Sequence, residues 1–223
     1  MRYFILFFSL WFSLTFNATA SNFNYATGFA AINEMSSKAL INAMERVDDR
    51  IYAVGEHGII IYSDDLGDNW TQSENVPFTN TLTDIDCISK KECWATGHDA
   101  TILHSNDSGK TWIKQYEDID FDAPLLSIHM YESGEGIAIG AFALSLRTTD
   151  GGQSWGYLFM DDDDFQPHFN YAYGDSQAWR KSSANEAYAV GEIGKYYISD
   201  DKGLNWLVVS TGYDGSYWSG IKV

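Results

Sequence analysis

The sequence predicts an all-β protein, a β-propeller of four-stranded Asp-box blades with an incomplete ring. Three observations support this fold class. Four segments share the pattern Ser/Thr-x-Asp-x-Gly-x-x-Trp, and a glycine lies eight residues before each of them. Successive segments begin 42, 43 and 51 residues apart, which is the usual length of a four-stranded propeller blade. At this length, about four and a half blades are present.

The repeated segment, the Asp box, has a mechanical explanation. Asp and Ser/Thr side chains hydrogen-bond to nearby backbone and hold a tight turn. Glycine adopts backbone angles that other residues avoid, and tryptophan offers a large apolar face for burial. We therefore expect a structural role for the Ser/Thr, Asp, Gly and Trp of each box: Ser63, Asp65, Gly67 and Trp70; Ser105, Asp107, Gly109 and Trp112; Thr148, Asp150, Gly152 and Trp155; Ser199, Asp201, Gly203 and Trp206.

The first blade shows how each element follows from the sequence. Apolar alternation and β-branched residues predict strands at 41–47, 50–54 and 59–63. A polar turn at Asp48-Asp49 separates the first two strands, and a short glycine-flanked loop separates the next two. The Asp-box turn follows, and a fourth strand begins near Trp70.

The same pattern sets the expected domain boundaries. Residues 216–223 occupy the place that 39–46 hold in the first blade, so they predict the opening strand of a fifth blade. An array of this kind leaves strand edges and an apolar face exposed. We therefore expect a longer protein with further blades. The predicted segments are a signal peptide at 1–20, blades at about 38–80, 81–123, 124–175 and 176–215, and the fifth-blade strand at 216–223.

The N-terminal residues predict export. Arg2 precedes an apolar run at 3–16, and Ala18-Thr19-Ala20 forms a small-x-small cleavage site. These features are typical of a secretory signal peptide, so we expect the mature protein to begin at Ser21 and not to insert into a membrane. An uncleaved membrane anchor is the alternative.

The net charge of −17 limits the classes of partner. A strongly acidic protein repels phosphate backbones and anionic lipid surfaces, so we expect a protein partner and no nucleic acid. Hydrophobic residues make up 45% of the chain and aromatic residues 16%. This composition excludes a disordered acidic tail.

Two cysteines, Cys87 and Cys93, flank a predicted hairpin tip at 89–91. With a tip of this length the two residues lie opposite each other, close enough to form a bridge. Export favours an oxidising compartment, so we expect a disulfide. Two buried thiols or a metal pair are the alternatives.

The candidate partner surface lies on the face opposite the Asp boxes, where the loops between second and third strands meet the connections between blades. The connection after the third Asp box is longer than the others and mixes acids with aromatics, and such loops concentrate function. For the acidic run 161–164, a solvated loop and a cation site are the alternatives to a role in partner binding. The binding candidates are His57, His98, Phe142, Asp163, Asp164, Phe165, His168, Phe169, Tyr171 and Tyr173.

The stretches 54–63 and 148–155 resemble the photosystem II assembly and stability factor family, whose blades repeat a Val-Gly before each Asp box. The resemblance covers about 40–206, and 163–170 is similar to a segment of exported bacterial members. It implies a non-enzymatic propeller that binds subunits of a membrane complex, in the periplasm, outside the cell, or in the thylakoid lumen of a photosynthetic organism. Photosynthetic members have an arginine-rich patch, whereas this chain has scattered arginines at Arg46, Arg50, Arg147 and Arg180.

Two alternatives are a sialidase-like glycosidase and a carbohydrate-binding propeller. A sialidase needs an arginine cluster to grip the substrate carboxylate, and the scattered arginines do not predict one. No nucleophile elbow, zinc motif or phosphate loop occurs in the sequence. Exposed tryptophans at Trp94, Trp179 and Trp218 would suit carbohydrate. The sequence therefore predicts a non-catalytic protein without a cofactor or metal.

Overall fold

A computed structural model describes residues 28–160, 169–174 and 185–220, with 171–174 described as backbone only. These residues form four antiparallel sheets of four strands, each paired in chain order. No helix among them has the length and apolar character needed to cross a membrane. The predicted signal peptide lies outside the described residues.

Each sheet is one propeller blade, and the β-propeller prediction is confirmed. The first blade contains β1 (Ile41–Val47), β2 (Arg50–Gly55), β3 (Ile60–Ser63) and β4 (Thr71–Gln72). The second contains β5 (Leu82–Cys87), β6 (Cys93–Gly97), β7 (Ile102–Ser105) and β8 (Ile113–Tyr116). The third contains β9 (Leu125–Met130), β10 (Gly136–Gly140), β11 (Ser145–Thr148) and β12 (Gly156–Tyr157). The fourth contains β13 (Phe169–Gly174), β14 (Ala187–Gly191), β15 (Lys195–Ser199) and β16 (Leu207–Ser210).

The expected boundary between the third and fourth blades, at 175/176, is wrong. Strand β13 pairs with β14 from Phe169 opposite Gly191 to Gly174 opposite Ala187, so it is the first strand of the fourth sheet. Its sequence places an aromatic residue at every second position, which is the period of a strand. The segment 169–174 is therefore not part of a loop.

The hydrophobic core lies between the blades. Tyr52 and Val54 of β2 pack with Ile85 and Leu103 of the second blade in one buried cluster. Two further clusters occupy the interfaces between the second and third blades and between the third and fourth. The second and third sheets therefore bury side chains on both faces, against the blade before and the blade after, as stacked layers require.

The Asp-box turns lie at these interfaces. In the second blade Asp107 accepts hydrogen bonds from the Ser105 hydroxyl (2.9 Å) and the Thr111 backbone N–H (2.9 Å). A Cβ on Gly109 would lie 2.6 Å from Tyr52 Cε1 of the preceding blade. The glycine thus allows the turn to pack against its neighbour, and its φ of 74° is one that favours glycine.

A disulfide joins Cys87 and Cys93, which lie directly opposite each other at the end of β5 and the start of β6. The chain turns between them through a short tip, where the Ser89 hydroxyl accepts a hydrogen bond from the Glu92 N–H (3.2 Å). The bridge therefore closes the hairpin nearest the second Asp box.

The ring of blades is not closed. Beyond the fourth blade, the Gly194 N–H donates to the Gly215 carbonyl (2.8 Å), as the Gly58 N–H does to the Asn80 carbonyl at the start of the second blade (2.7 Å). Aligning Gly215 with Asn80 makes Tyr217 equivalent to Leu82, the first residue of β5. The predicted alignment of 216–223 with 39–46 is therefore shifted by one residue. Within the described residues, 216–220 form no strand.

Candidate functional site

Four equivalent turns define the face opposite the Asp boxes. In each, two successive residues have positive φ angles, and the next N–H donates back across the turn. This is the type I′ geometry that suits the twist of a hairpin. The first of the two residues is His57 (φ 56°), Asp99 (57°), Phe142 (55°) or Ile193 (51°) in successive blades.

Two of these turn residues are unusual. A bulky or β-branched side chain rarely adopts a positive φ angle, yet Phe142 and Ile193 do, and both are exposed. Backbone strain of this kind concentrates at functional sites. The turns of the third and fourth blades therefore hold an apolar side chain toward solvent.

A cleft of about 550 Å³ opens on this face between the first and second blades. His57 of the first blade and Asp99 of the second both line it, together with the connection between the blades at 77–81, which we call its floor. Its lining residues are Gly28, His57, Pro77, Phe78, Thr79, Asn80, Thr81, Asp99, Lys114 and Glu117.

The floor of the cleft is anchored from below. Phe78 is buried in the cluster between the two blades, and the Gly58 N–H donates to the Asn80 carbonyl at 2.7 Å. A Cβ on Gly58 would lie 2.1 Å from the Phe78 carbonyl oxygen, so only glycine allows this approach. The cleft is therefore a preformed feature of the blade junction.

The lining carries both signs of charge. The Lys114 ammonium donates to the Glu117 carboxylate and lies 5.9 Å from the Phe78 ring centroid. The Asn80 side-chain amide donates to the Asp99 carboxylate (3.3 Å). Charged groups, amides and an aromatic floor together suit a peptide better than a purely apolar ligand.

The structure separates the predicted binding residues. His57 lines the cleft, His98 is exposed outside its lining, and Phe142 stands on the turn of the third blade. Phe169 is only 1% exposed and packs against Tyr197, with ring centroids 5.0 Å apart. Its prediction as a surface residue is wrong, because it begins β13 and belongs to the core between the third and fourth blades.

The remaining predicted residues divide into two groups. Tyr171 and Tyr173 lie in β13 and not in a loop. Asp163, Asp164, Phe165 and His168 lie outside the described residues, so their role stays a prediction. The carbohydrate-binding alternative relied partly on Trp94, which is buried and stacks on His104.

Titratable side chains on the first strands of the first two blades were not predicted from the sequence. The first strand of each blade is its inner strand, since β1, β5, β9 and β13 contact one another in succession. Asp84 of β5 accepts hydrogen bonds from the Ser127 hydroxyl (2.8 Å) and the Ile128 N–H (3.0 Å) of β9. Asp86 accepts from the Met130 N–H (2.6 Å). These carboxylates therefore connect the inner strands of the second and third blades. The sequence feature that could have identified Asp84 and Asp86 is their alternation with apolar residues along β5.

Burial changes the acidity of this set. It raises the pKa of the Asp84 carboxyl to about 6, against the opposing effect of its hydrogen bonds. It also raises the pKa of Glu45 on β1 to about 8, with the nearby carboxylates of Asp86 and Asp84 adding to the shift. Glu45 therefore holds a proton at neutral pH. Among the described residues, no group of His, Cys, Asp and Glu side chains is arranged to hold a metal ion.

The Asp-box carboxylates are held by their own turns. The pKa of Asp65 is lowered by hydrogen bonds from the Asn69 side chain, the Asn69 backbone and the Ser63 hydroxyl. The pKa of Asp150 is lowered in the same way by Ser154. Carboxylates that are kept ionised within a turn do not have the raised pKa that a general acid needs at neutral pH.

Curated relatives and solved structures agree with this architecture. The chain is 27% identical over 183 residues to the Photosystem II assembly lipoprotein Ycf48 of Synechococcus sp. (strain CC9902), covering 75% of the chain and 51% of that protein. It is 29% identical over 138 residues to the chloroplastic Photosystem II stability/assembly factor HCF136 of Arabidopsis thaliana, covering 54% of the chain and 32% of that protein. The chain thus spans about half and one third of these relatives.

Among solved structures, an ancestral GH74 enzyme superposes with a TM-score of 0.61 and 14% sequence identity, over 75% of this chain and 24% of that one. At this identity the match shows the propeller fold alone. A family model described as Photosynthesis system II assembly factor YCF48 matches residues 69–212, more than half of the chain. The chain belongs to the Photosynthesis system II assembly factor YCF48 family.

Proposed function

We propose that this chain is an exported, non-catalytic protein-binding factor that assists the assembly or stability of a membrane complex. The observation that carries the proposal is the preformed cleft between the first and second blades, in a member of this family. Both named relatives are photosystem II assembly factors, which supports a membrane-complex subunit as the partner. The apolar N-terminus supports a periplasmic, extracellular or lumenal location.

The chemistry of the cleft supports a peptide segment as the bound element. Thr79 and the exposed Asn80 line the cleft with polar groups, Pro77 adds apolar surface, and the largely buried Phe78 ring completes the lining. Lys114 and Asp99 supply charges of both signs at the rim. A peptide segment carries polar, apolar and charged groups that can match this mixture, whereas a small apolar ligand offers only one of the three.

The test is photo-crosslinking in the native host. A photoreactive phenylalanine analogue replaces Thr79 in the cleft, or Asp68 on the Asp-box face as a matched control, and the adducts are identified by mass spectrometry. We expect Thr79 to capture a subunit of a membrane complex and Asp68 to capture none. Equal adducts from both positions, or no adduct from Thr79, would refute the proposal.

A glycosidase function is the alternative suggested by the likeness to a GH74 enzyme, and it predicts turnover of a glycoside substrate. Glycoside hydrolysis generally needs two carboxyl groups that flank an open substrate site. Asp84 and Asp86 are both held by β9, and the Asp-box carboxylates are held by their own turns. We expect no turnover of sialosides or aryl glycosides. Turnover that disappears with one Asp, Glu or Tyr substitution would contradict the non-catalytic proposal.

A further inference from the structure

The connection from β8 to β9 has an unusual composition. Residues Glu117, Asp118, Ile119, Asp120, Phe121 and Asp122 follow one another, so acids alternate with apolar residues beyond Glu117. Ile119 is 65% exposed and Phe121 39%. The equivalent connection of the first blade instead buries its apolar residues Val76 and Phe78. The connection from β8 to β9 therefore exposes its apolar side chains, whereas the equivalent connection of the first blade buries its own.

Two aromatic residues of the third blade extend this surface. Tyr157 is 54% exposed and Phe159 87%, while Leu158 between them packs into the core toward the fourth blade. The Tyr157 hydroxyl contacts Asp118 of the connection from β8 to β9, and the alternation of side chains in an extended segment puts Phe159 on the same side as Tyr157. We call residues 117–122 together with Tyr157 and Phe159 the acidic–aromatic strip.

The strip is held in place by defined contacts. The Tyr157 hydroxyl donates to the Asp118 carboxylate (2.7 Å), and the Phe121 N–H donates to the same side chain (3.2 Å). The Phe121 and Tyr157 rings are 6.4 Å apart. The Asp118 N–H donates to the Asp99 carbonyl (3.1 Å), which ties the strip to the rim of the cleft. A preformed surface of this kind loses little entropy on binding.

The charge of the strip indicates its occupant. Four carboxylates lie along six residues, and the hydrogen bonds from Tyr157 and Phe121 lower the pKa of Asp118, so it stays ionised. Lys114 is the nearby cation, and it already pairs with Glu117. Exposed aromatic and apolar side chains among like charges form an unfavourable free surface, which a partner of opposite charge would cover.

We propose that the acidic–aromatic strip binds a basic, extended segment of the partner protein, in which Lys or Arg alternates with apolar residues. This inference rests on the proposed function and names the chemistry of the bound segment. The apolar side chains of the segment contact Phe121, Tyr157 and Phe159, and its cations pair with Asp120 and Asp122. The two-residue period of an extended chain matches the alternation of acid and apolar residues in the strip.

The test measures binding of a short fluorescent peptide in which Lys alternates with Leu and Phe, by anisotropy, to the purified chain. A peptide with Glu in place of Lys is the comparison. We expect salt-sensitive binding of the Lys peptide alone. The double variant Asp120→Lys/Asp122→Lys should weaken it at least about tenfold, because like charges then face each other. Phe121→Ser/Phe159→Ser should weaken it by a similar factor at unchanged charge.

The matched control is Asp68→Lys/Asp200→Lys, which makes the same change of net charge at exposed positions of two Asp-box turns. We expect it to bind the Lys peptide within about twofold of the unaltered chain, because distant exposed charges are screened. Circular dichroism melting checks that every variant folds. An equal loss in the control, or binding of the Glu peptide, would overturn the proposal by showing attraction without a defined site.

The test of the acidic–aromatic strip and the test of the proposed function can fail independently of each other. If Asp120→Lys/Asp122→Lys still yields the Thr79 adduct with the membrane-complex subunit at full level, the proposed function stands and the strip is not its docking surface. If the peptide binds as expected but Thr79 captures no subunit, the strip is a binding surface and the proposed function fails.

Discussion

The side-chain amide of Asn170 donates a hydrogen bond to the backbone carbonyl of Tyr217 at 2.8 Å. The same link joins Asn42 to Leu82 (2.7 Å) between the first and second blades. The Thr83 hydroxyl donates in the same way to the Leu125 carbonyl (2.6 Å) between the second and third blades. In β1 and β5 the side chain of the second residue thus donates a hydrogen bond to the carbonyl at which the next blade begins. Tyr217 is held where a following blade would start.

We expect Asn170→Ala to loosen the segment 215–220 while leaving the four blades folded. Loss of a hydrogen bond of about 1 kcal/mol should speed amide exchange there roughly fivefold. Asn42→Ala is the matched control, since Leu82 is also held within β5. Hydrogen exchange read by mass spectrometry measures both variants. Unchanged exchange at 215–220 would show that the link does not hold this segment.

The raised pKa of Glu45 predicts a pH-dependent stability. The folded chain keeps this carboxyl protonated up to about pH 8, whereas the unfolded chain releases the proton near its ordinary value of 4.5. The folded state therefore binds more protons between these two pH values, and stability falls as the pH rises through them. Burial lowers the pKa of His104, which acts in the opposite direction near its ordinary value of 6.5.

The Glu45→Gln variant isolates the contribution of Glu45, because His104 and Asp84, whose pKa values are also shifted, are both retained in it. We expect the variant to melt at least about 2 °C above the unaltered chain near pH 8.5, where Glu45 would otherwise ionise beside Asp86 and Asp84. Near pH 4, below the ordinary value of 4.5, the two should melt together, because Glu45 is then protonated in both the folded and the unfolded chain. Thermal scans by circular dichroism at both pH values measure the difference. A constant offset at both would contradict the assignment.

Replacing an Asp-box glycine by alanine should lower the free energy of unfolding by different amounts at different positions. Gly109 and Gly67 both have positive φ angles, so alanine costs each about 1 kcal/mol of backbone strain. At position 109 the new Cβ would also meet Tyr52 at 2.6 Å, whereas at 67 the nearest atom lies 3.6 Å away. We expect Gly109→Ala to lose roughly 1–3 kcal/mol more than Gly67→Ala. Equal urea midpoints would refute the interface role of Gly109.

The disulfide between Cys87 and Cys93 should be present in the exported protein. Mass spectrometry without reduction should find the mass of the bridged form, and alkylation should label neither sulfur. The Cys87→Ala/Cys93→Ala variant should lose roughly 2 kcal/mol of unfolding free energy, the value for a short closed loop. Two thiols that alkylate freely in native protein would exclude the bridge.

The sequence by itself determined the repeating unit. The turn chemistry of the Asp box and the alternation of the strands act within a single blade, so the first blade was predicted almost residue by residue. The Cys87–Cys93 hairpin was likewise predictable, because its geometry depends only on a short tip. Such local hydrogen-bonding rules operate over a few residues and can be read without knowing how the blades meet.

Only the tertiary structure decided what lies between blades. Phe169 looked like a loop residue until β13 paired with β14 and buried it. The burial of the Asp84 and Asp86 carboxylates depends on β9, which supplies their hydrogen bonds from residues more than forty positions away. The cleft at His57 and Asp99 joins turns some forty residues apart. These features depend on how neighbouring sheets pack and twist against each other, and that packing is set by side chains distant in the chain.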